Sequence, residues 1–156
     1  MPSLDIPGFG NLSIEHIVLD YNGTLAVDGT ILPGIADRLR QLADVYTIHV
    51  ITADTFGAVR RHMASIPCEI TILPSGNMAE GKFRYIRELG TNGVAAIGNG
   101  SNDRMMLEAA ALGIAVMQEE GAAREALLAA DIVVTDIRVA LDLFMHPLRL
   151  TATLRS

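Results

Sequence analysis

Tryptophan is absent from this 156-residue chain and cysteine occurs once. The lone Cys68 excludes an internal disulfide and any zinc site built from several cysteines. Its neighbours Ile66, Pro67 and Ile70 point to a small buried filler, and nothing basic beside it in sequence would activate the thiol. Basic residues are scarce: 12 Lys and Arg stand against 18 Asp and Glu, for a net charge of −6, and no basic cluster is longer than Arg60-Arg61. That balance argues against a surface built to coat nucleic acid or an anionic membrane. No uninterrupted apolar run approaches the ~18 residues a membrane span needs, and the opening Met-Pro-Ser-Leu-Asp has no basic stretch leading into an apolar one. The expectation is a cytoplasmic protein with neither nucleic acid nor membrane as partner. His16, His49, His62 and His146 show no pair at metal-ligand spacing on one helix and read as structural.

What is present is apolar: half the residues are hydrophobic, enough for one domain with a real core and too short a chain for two ordinary ones. No Ser/Gly-rich linker, low-complexity segment or internal repeat divides it. Apolar strand runs at Ile17–Leu19, Thr47–Ile51, Glu69–Leu73, Val94–Ile97, Gly113–Val116 and Ile132–Val134 alternate with helix-like stretches near Ile35–Ala43, Phe56–Ser65, Met78–Leu89, Asp103–Ala110 and Ala122–Ala129. Strand and helix in alternation predict an α/β fold, a parallel sheet with helices on both faces. Residues 1–14 read as a hairpin on the sheet edge. Leu25-Ala26-Val27 and Thr30-Ile31-Leu32 flank Asp28-Gly29, a two-residue turn signal, and predict a small β-hairpin flap over residues 25–33. The stretch 146–156 is too apolar for a free tail and is expected to dock or to contact another subunit.

The first strand run delivers Asp20 into Asp20-Tyr21-Asn22-Gly23-Thr24, and the run Val94–Ile97 leads into Gly98-Asn99-Gly100-Ser101-Asn102-Asp103. Open α/β sheets place their chemistry at such strand ends. Read alone, an Asp before Asn-Gly is a turn residue, and Thr52 after its strand run is a cap. Gly98-Asn99-Gly100 lacks the third glycine of a dinucleotide fingerprint.

Together these segments resemble the haloacid dehalogenase (HAD) superfamily of phosphatases and phosphotransferases, and within it the phosphorylation domain of P-type ATPases, with its DKTGTL and GDGxND segments. The resemblance covers roughly Ile17 to Asp136. It implies a single Rossmann-like HAD domain and an Mg²⁺-dependent reaction on a phosphorylated substrate, small or macromolecular. Asp20 would be the nucleophile that becomes an aspartyl phosphate. Thr52, with the backbone of Ala53, would bind the phosphoryl group, as would Gly23, Thr24 and Asn102. Lys82, the only lysine in the chain, would pair with the aspartate and the phosphate. Asp20, Asn22, Asn99 and Asp103 would hold the metal.

Two positions depart from the family pattern. Asn22 stands where HAD phosphatases usually carry a general acid/base Asp, and an amide cannot transfer protons; losing such a group costs ~10²–10⁴ in rate. P-type ATPases have Thr there and still form the aspartyl phosphate, from a good leaving group. Asn99 replaces a metal-site Asp; its amide oxygen can still ligate a hard cation, with one negative charge fewer. A catalytically weak HAD-fold binding or regulatory protein is the alternative these departures leave open. The intervals between Asp20, Thr52 and Lys82 are filled by the flap, helices and strands of the core, which leaves no room for a cap domain. An open site suits a macromolecular substrate or a lid from a neighbouring subunit, and a homo-oligomer is expected.

Overall fold

The computed structural model describes residues 1–53 and 57–156. Ten strands and seven α-helices are found among them. A hairpin of β1 (Leu4–Ile6) and β2 (Gly10–Leu12) comes first, then β3 (His16–Asp20) and the flap strands β4 (Ala26–Val27) and β5 (Thr30–Ile31). The chain continues through α1 (Ile35–Leu42), β6 (Thr47–Thr52), α2 (Ala58–His62), β7 (Glu69–Ile72), α3 (Met78–Leu89) and β8 (Val94–Gly98). It ends with α4 (Arg104–Ala109), β9 (Leu112–Val116), α5 (Arg124–Ala129), β10 (Ile132–Val134), α6 (Ile137–Met145) and α7 (Pro147–Leu154).

Six strands form one parallel sheet in the order β10-β9-β8-β3-β6-β7. The chain builds outward from β3 to β6 and β7, then returns to lay β8, β9 and β10 on the other side of β3. The switch point therefore falls between β3 and β8, the place where open α/β sheets leave a crevice at their C-terminal ends. Side chains alternate across the sheet: Ile17 and Leu19 pack with Ile48, Val50, Leu39 and Ile137, whereas Val18 packs with Ile51, Ile86, Met106 and Leu107. Helices α1 and α6 cover the first face and α3, α4 and α5 the second. Two steps beyond Val18, Asp20 shares the second face, toward α3.

Several expectations change in the structure. The N-terminal hairpin is not on the main sheet's edge; β1 and β2 form their own two-stranded sheet, with Leu4 opposite Leu12, and α7 packs on β1. Stretch 146–156 is largely that docked helix, and the Ser156 N–H donates to Pro7 O at 3.0 Å. Helix α6, capped by Asp136 accepting from the Arg138 N–H at 2.8 Å, lies beyond the helices read from sequence. The helix expected at Phe56–Ser65 is found as Ala58–His62, and Phe56 lies outside the described residues.

Candidate active site

The turn after β3 is built by backbone bonds to one carbonyl. Tyr21 O accepts from the N–H groups of Thr24, Leu25 and Ala26 at 3.2, 2.9 and 3.1 Å, and the Gly23 N–H donates to Ala26 O at 2.8 Å. Gly23 has φ +76°, and a Cβ there would collide with the Asn99 side chain. Only glycine fits on either count. The hairpin closes through Asp28 and Gly29, both at positive φ (50° and 79°), the combination a type I′ turn needs. This flap is tied down rather than free: Leu25 and Ala26 are buried, and the Tyr21 hydroxyl lies 3.2 Å from Gly29 O and 3.0 Å from His62 Nδ1.

Register aligns the strand ends. Asp20 pairs with Ile51, one residue before Thr52, and Leu19 pairs with Ile97, one before Gly98. From the second face α3 delivers Lys82, 1% exposed. Its Nζ donates to Asp103 Oδ1 at 2.6 Å, Asn102 Oδ1 at 3.0 Å and Asp20 Oδ1 at 3.1 Å. Asp103, fully buried, accepts at Oδ2 from the Asn99 and Gly100 N–H groups at 3.0 and 2.9 Å. A Cβ on Gly98 would run into that carboxylate, so the glycine lets Asp103 close against the strand end. Asp20 is 8% exposed, at the mouth. Among the described residues both of its hydrogen bonds, from Lys82 and from the Tyr21 N–H at 2.9 Å, fall on Oδ1, which leaves Oδ2 for chemistry.

Two carboxylates share one ammonium, so the cluster carries a net negative charge in a poorly solvated place. Burial, then repulsion from Asp103, pushes the Asp20 carboxyl up from 3.8 to about 7 against the opposing pull of Lys82. Burial acts to lower the Lys82 pKa, but Asp20 and Asp103 outweigh it and hold the lysine charged, above its ordinary value.

A second set of bonds holds the turn after β3 from the other side. Asn99 Oδ1 accepts the Thr24 hydroxyl at 3.2 Å, and Asn99 Nδ2 donates to Gly121 O at 3.1 Å. Gln118 Nε2 donates to Gly23 O at 3.3 Å and Thr24 O at 3.0 Å, and Gln118 Oε1 accepts the Ile137 N–H at 2.8 Å. Sequence reasoning missed Gln118. Its signal was position: it lies two residues past β9, at the same C-terminal sheet edge.

Asp20, Lys82, Asn102, Asp103, Asn99 and Thr24 are thus joined in one hydrogen-bonded chain. Thr52 is buried at the end of β6, Ala53 beside it is exposed, and Asn22 is exposed at the turn. Gly23 and Thr24 are expected to bind phosphate; in the structure their N–H groups donate within the turn and the Thr24 hydroxyl donates to Asn99. Asp103, expected at the metal, has both oxygens occupied by Lys82 and backbone donors.

A hard divalent cation asks for oxygen donors, and Mg²⁺ settles for one or two carboxylates while keeping water and taking phosphate oxygens. Among the described residues no three of His, Cys, Asp and Glu converge on such a site. The oxygens that remain for a cation are Asp20 Oδ2 and the Asn22 carbonyl, with the Asn99 amide oxygen, which also accepts the Thr24 hydroxyl. One carboxylate with neutral oxygens fits a cation shared between protein, water and phosphate.

Among the described residues, His16, His49 and Cys68 take no part in these bonds. His16 Nδ1 lies 3.0 Å from His49 Nε2, and His49 Nδ1 lies 2.8 Å from the Tyr85 hydroxyl; burial lowers the His49 pKa. Cys68 is half-buried, and burial raises its thiol pKa.

A strand-end aspartate paired with a buried lysine lies at the switch point of the parallel sheet, and comparison with known proteins shows which fold this is. No protein-family profile matches the chain. Uncharacterized protein MJ0073 of Methanocaldococcus jannaschii is 52% identical over 62 residues, 40% of this chain and 67% of that protein. Among solved structures, a putative HAD superfamily (subfamily III A) hydrolase from Legionella pneumophila matches with TM-score 0.72 at 17% identity, covering 90% of this chain and 87% of that one. The 3-deoxy-D-manno-octulosonate 8-phosphate phosphatase of Moraxella catarrhalis, solved with magnesium, phosphate and KDO, matches with TM-score 0.67 at 18% identity over 85% and 86%. The catalytic domain of the CPx-ATPase CopB-B matches with TM-score 0.62 at 26% identity over 74% of this chain and 46% of that one. The chain has the fold of the HAD superfamily hydrolases, a fold that P-type ATPase domains share.

Proposed function

We propose that this protein is a phosphohydrolase or phosphotransferase that works through an aspartyl phosphate on Asp20. The observation that carries the reading is the chain's single lysine, buried and donating to both Asp20 and Asp103 at the sheet's switch point. Asp20 Oδ2 attacks phosphorus, and the bond to the leaving oxygen breaks with its electron pair on that oxygen. Water then attacks the phosphoryl group, which leaves as inorganic phosphate and returns the carboxylate. Lys82, the Thr52 hydroxyl and the Asn22 and Ala53 N–H groups supply donors to phosphoryl oxygens where negative charge builds. A divalent cation, when bound, neutralises phosphate oxygens. Asp20, the Asn22 carbonyl and Asn99 would hold it, with Asp103 contributing charge from behind Lys82.

Asn22 has no proton to give, so the leaving oxygen takes one from solvent. The substrates are therefore phosphorylated compounds with good leaving groups, such as acyl phosphates and anhydrides. A binding or regulatory protein with negligible turnover is the second reading, favoured by the amides at 22 and 99. Turnover of acetyl phosphate and p-nitrophenyl phosphate with Mg²⁺, measured for wild type and Asp20→Asn, separates the two. Loss of turnover in the variant supports the enzyme; equal rates end the nucleophile assignment; no turnover in wild type favours the second reading.

A further inference from the structure

We propose that Gln118 is a positioning residue, clamping the turn that carries Asp20 to the N-terminus of α6. The orientation of its amide is dictated by its partners. Ile137 offers an N–H at 2.8 Å and can face only the oxygen, while Gly23 and Thr24 offer carbonyls at 3.3 and 3.0 Å and can face only the nitrogen. A neutral side chain that both donates and accepts is required. A carboxylate here would turn an oxygen toward two carbonyl oxygens.

The clamp has little play. Gln118 is half-buried and follows β9, where the Met117 N–H extends the ladder to Val134 O at 2.9 Å. The Gly121 N–H returns to Gln118 O at 2.9 Å, and Gly121 O takes the Asn99 amide, which holds the Thr24 hydroxyl. The short loop from 117 to 121 therefore reaches the nucleophile turn by two routes, through Gln118 onto backbone carbonyls and through Asn99 onto a hydroxyl. The Tyr21 carbonyl that organises the turn belongs to the residue next to Asp20, so a turn that shifts carries the carboxylate with it. A displacement of about 1 Å at a reacting group can cost ~10²-fold in rate. The clamp itself stands on this geometry, and its consequence for rate rests on the phosphohydrolase reading.

The test is Gln118→Glu, which keeps an acceptor for Ile137 and removes the donor to the turn. Amide hydrogen exchange at Leu25 and Ala26, read by NMR at neutral pH, is expected to accelerate by ~10-fold or more as the turn opens locally. With p-nitrophenyl phosphate, kcat is expected to fall ~10–100-fold while KM stays nearly constant, the pattern of a misaligned nucleophile rather than lost binding. Should that variant fail to fold, Gln118→Leu removes the donor without setting a charge against the carbonyls. Unchanged exchange overturns the clamp. Faster exchange with an unchanged kcat overturns the positioning role. If wild type turns over nothing, the phosphohydrolase reading falls and the exchange comparison alone decides the clamp.

Discussion

Lys82 Nζ lies 2.6 Å from Asp103 Oδ1, nearer than the 3.1 Å that separates it from Asp20 Oδ1. The lysine is anchored by the buried carboxylate behind it and shared with the one at the mouth. On the phosphohydrolase reading proposed above, a phosphoryl group at Asp20 would meet a cation already fixed in place, the preorganisation that charge stabilisation needs.

Removing the anchor should be costly. Asp103→Asn leaves Lys82 without its closest counter-charge and sets an amide against donors on two sides, and breaking a buried pair in this way costs about 3–5 kcal/mol. Urea unfolding at pH 7 measures it; a loss under about 1 kcal/mol, the range of surface pairs, would mean Asp103 is not the anchor.

The raised Asp20 pKa predicts a stability slope in metal-free protein. Between 3.8 and about 7 the folded state holds a proton that the unfolded chain has released. The stabilisation this group provides is thus complete below 3.8 and lost as pH rises through about 7. Asp20→Asn cannot ionise and lacks that slope. Unfolding of both proteins in EDTA at pH 5 and pH 8 should show wild type losing stability relative to the variant at the higher pH; parallel behaviour would contradict the shift.

Asn99 is explained by its two bonds. An aspartate there would hold a cation better but set an oxygen against the Gly121 carbonyl, where the amide now donates at 3.1 Å. Asn99→Asp should melt below wild type in EDTA, with Mg²⁺ closing the gap. A variant as stable as wild type without metal would show that the Gly121 bond does not select the amide.

On the proposed phosphohydrolase reading, Asn22 would set leaving-group preference. It is exposed at the turn and nearly isosteric with aspartate, so Asn22→Asp adds an ionisable group at small steric cost. Alkyl phosphate hydrolysis should rise by one or more orders of magnitude, within the ~10²–10⁴ of general acid catalysis, while activated substrates change little. Equal gains on both substrate types, read as kcat/KM, would remove the proton-donor explanation.

Strand positions were legible because a buried parallel strand has few ways to read: the runs at Ile17–Leu19 and Val94–Ile97 are apolar throughout and end at a turn. Helix α3 was legible at both ends because Asn77 caps it, accepting from the Glu80 N–H, and Gly90 at φ 93° stops it. The placement of the N-terminal hairpin was not legible, since alternation predicts a strand pair but not the surface that covers it. At the site, residue types pointed to Asp20 and Lys82. The partners of Asp103 and Gln118 depend on backbone groups brought together from distant strand ends, and no spacing encodes those. The same limit hid the use of the Gly23 and Thr24 N–H groups inside their own turn.

The most direct test of the central claim is the covalent state of Asp20 during reaction. Protein mixed with acetyl phosphate and Mg²⁺, quenched in acid and digested, should yield a phosphorylated peptide containing Asp20 by mass spectrometry. Asp20→Asn should yield none, and Lys82→Ala should yield far less than wild type. Turnover of acetyl phosphate by wild type with no phosphate on that peptide at any quench time, or with phosphate on another residue, would contradict it.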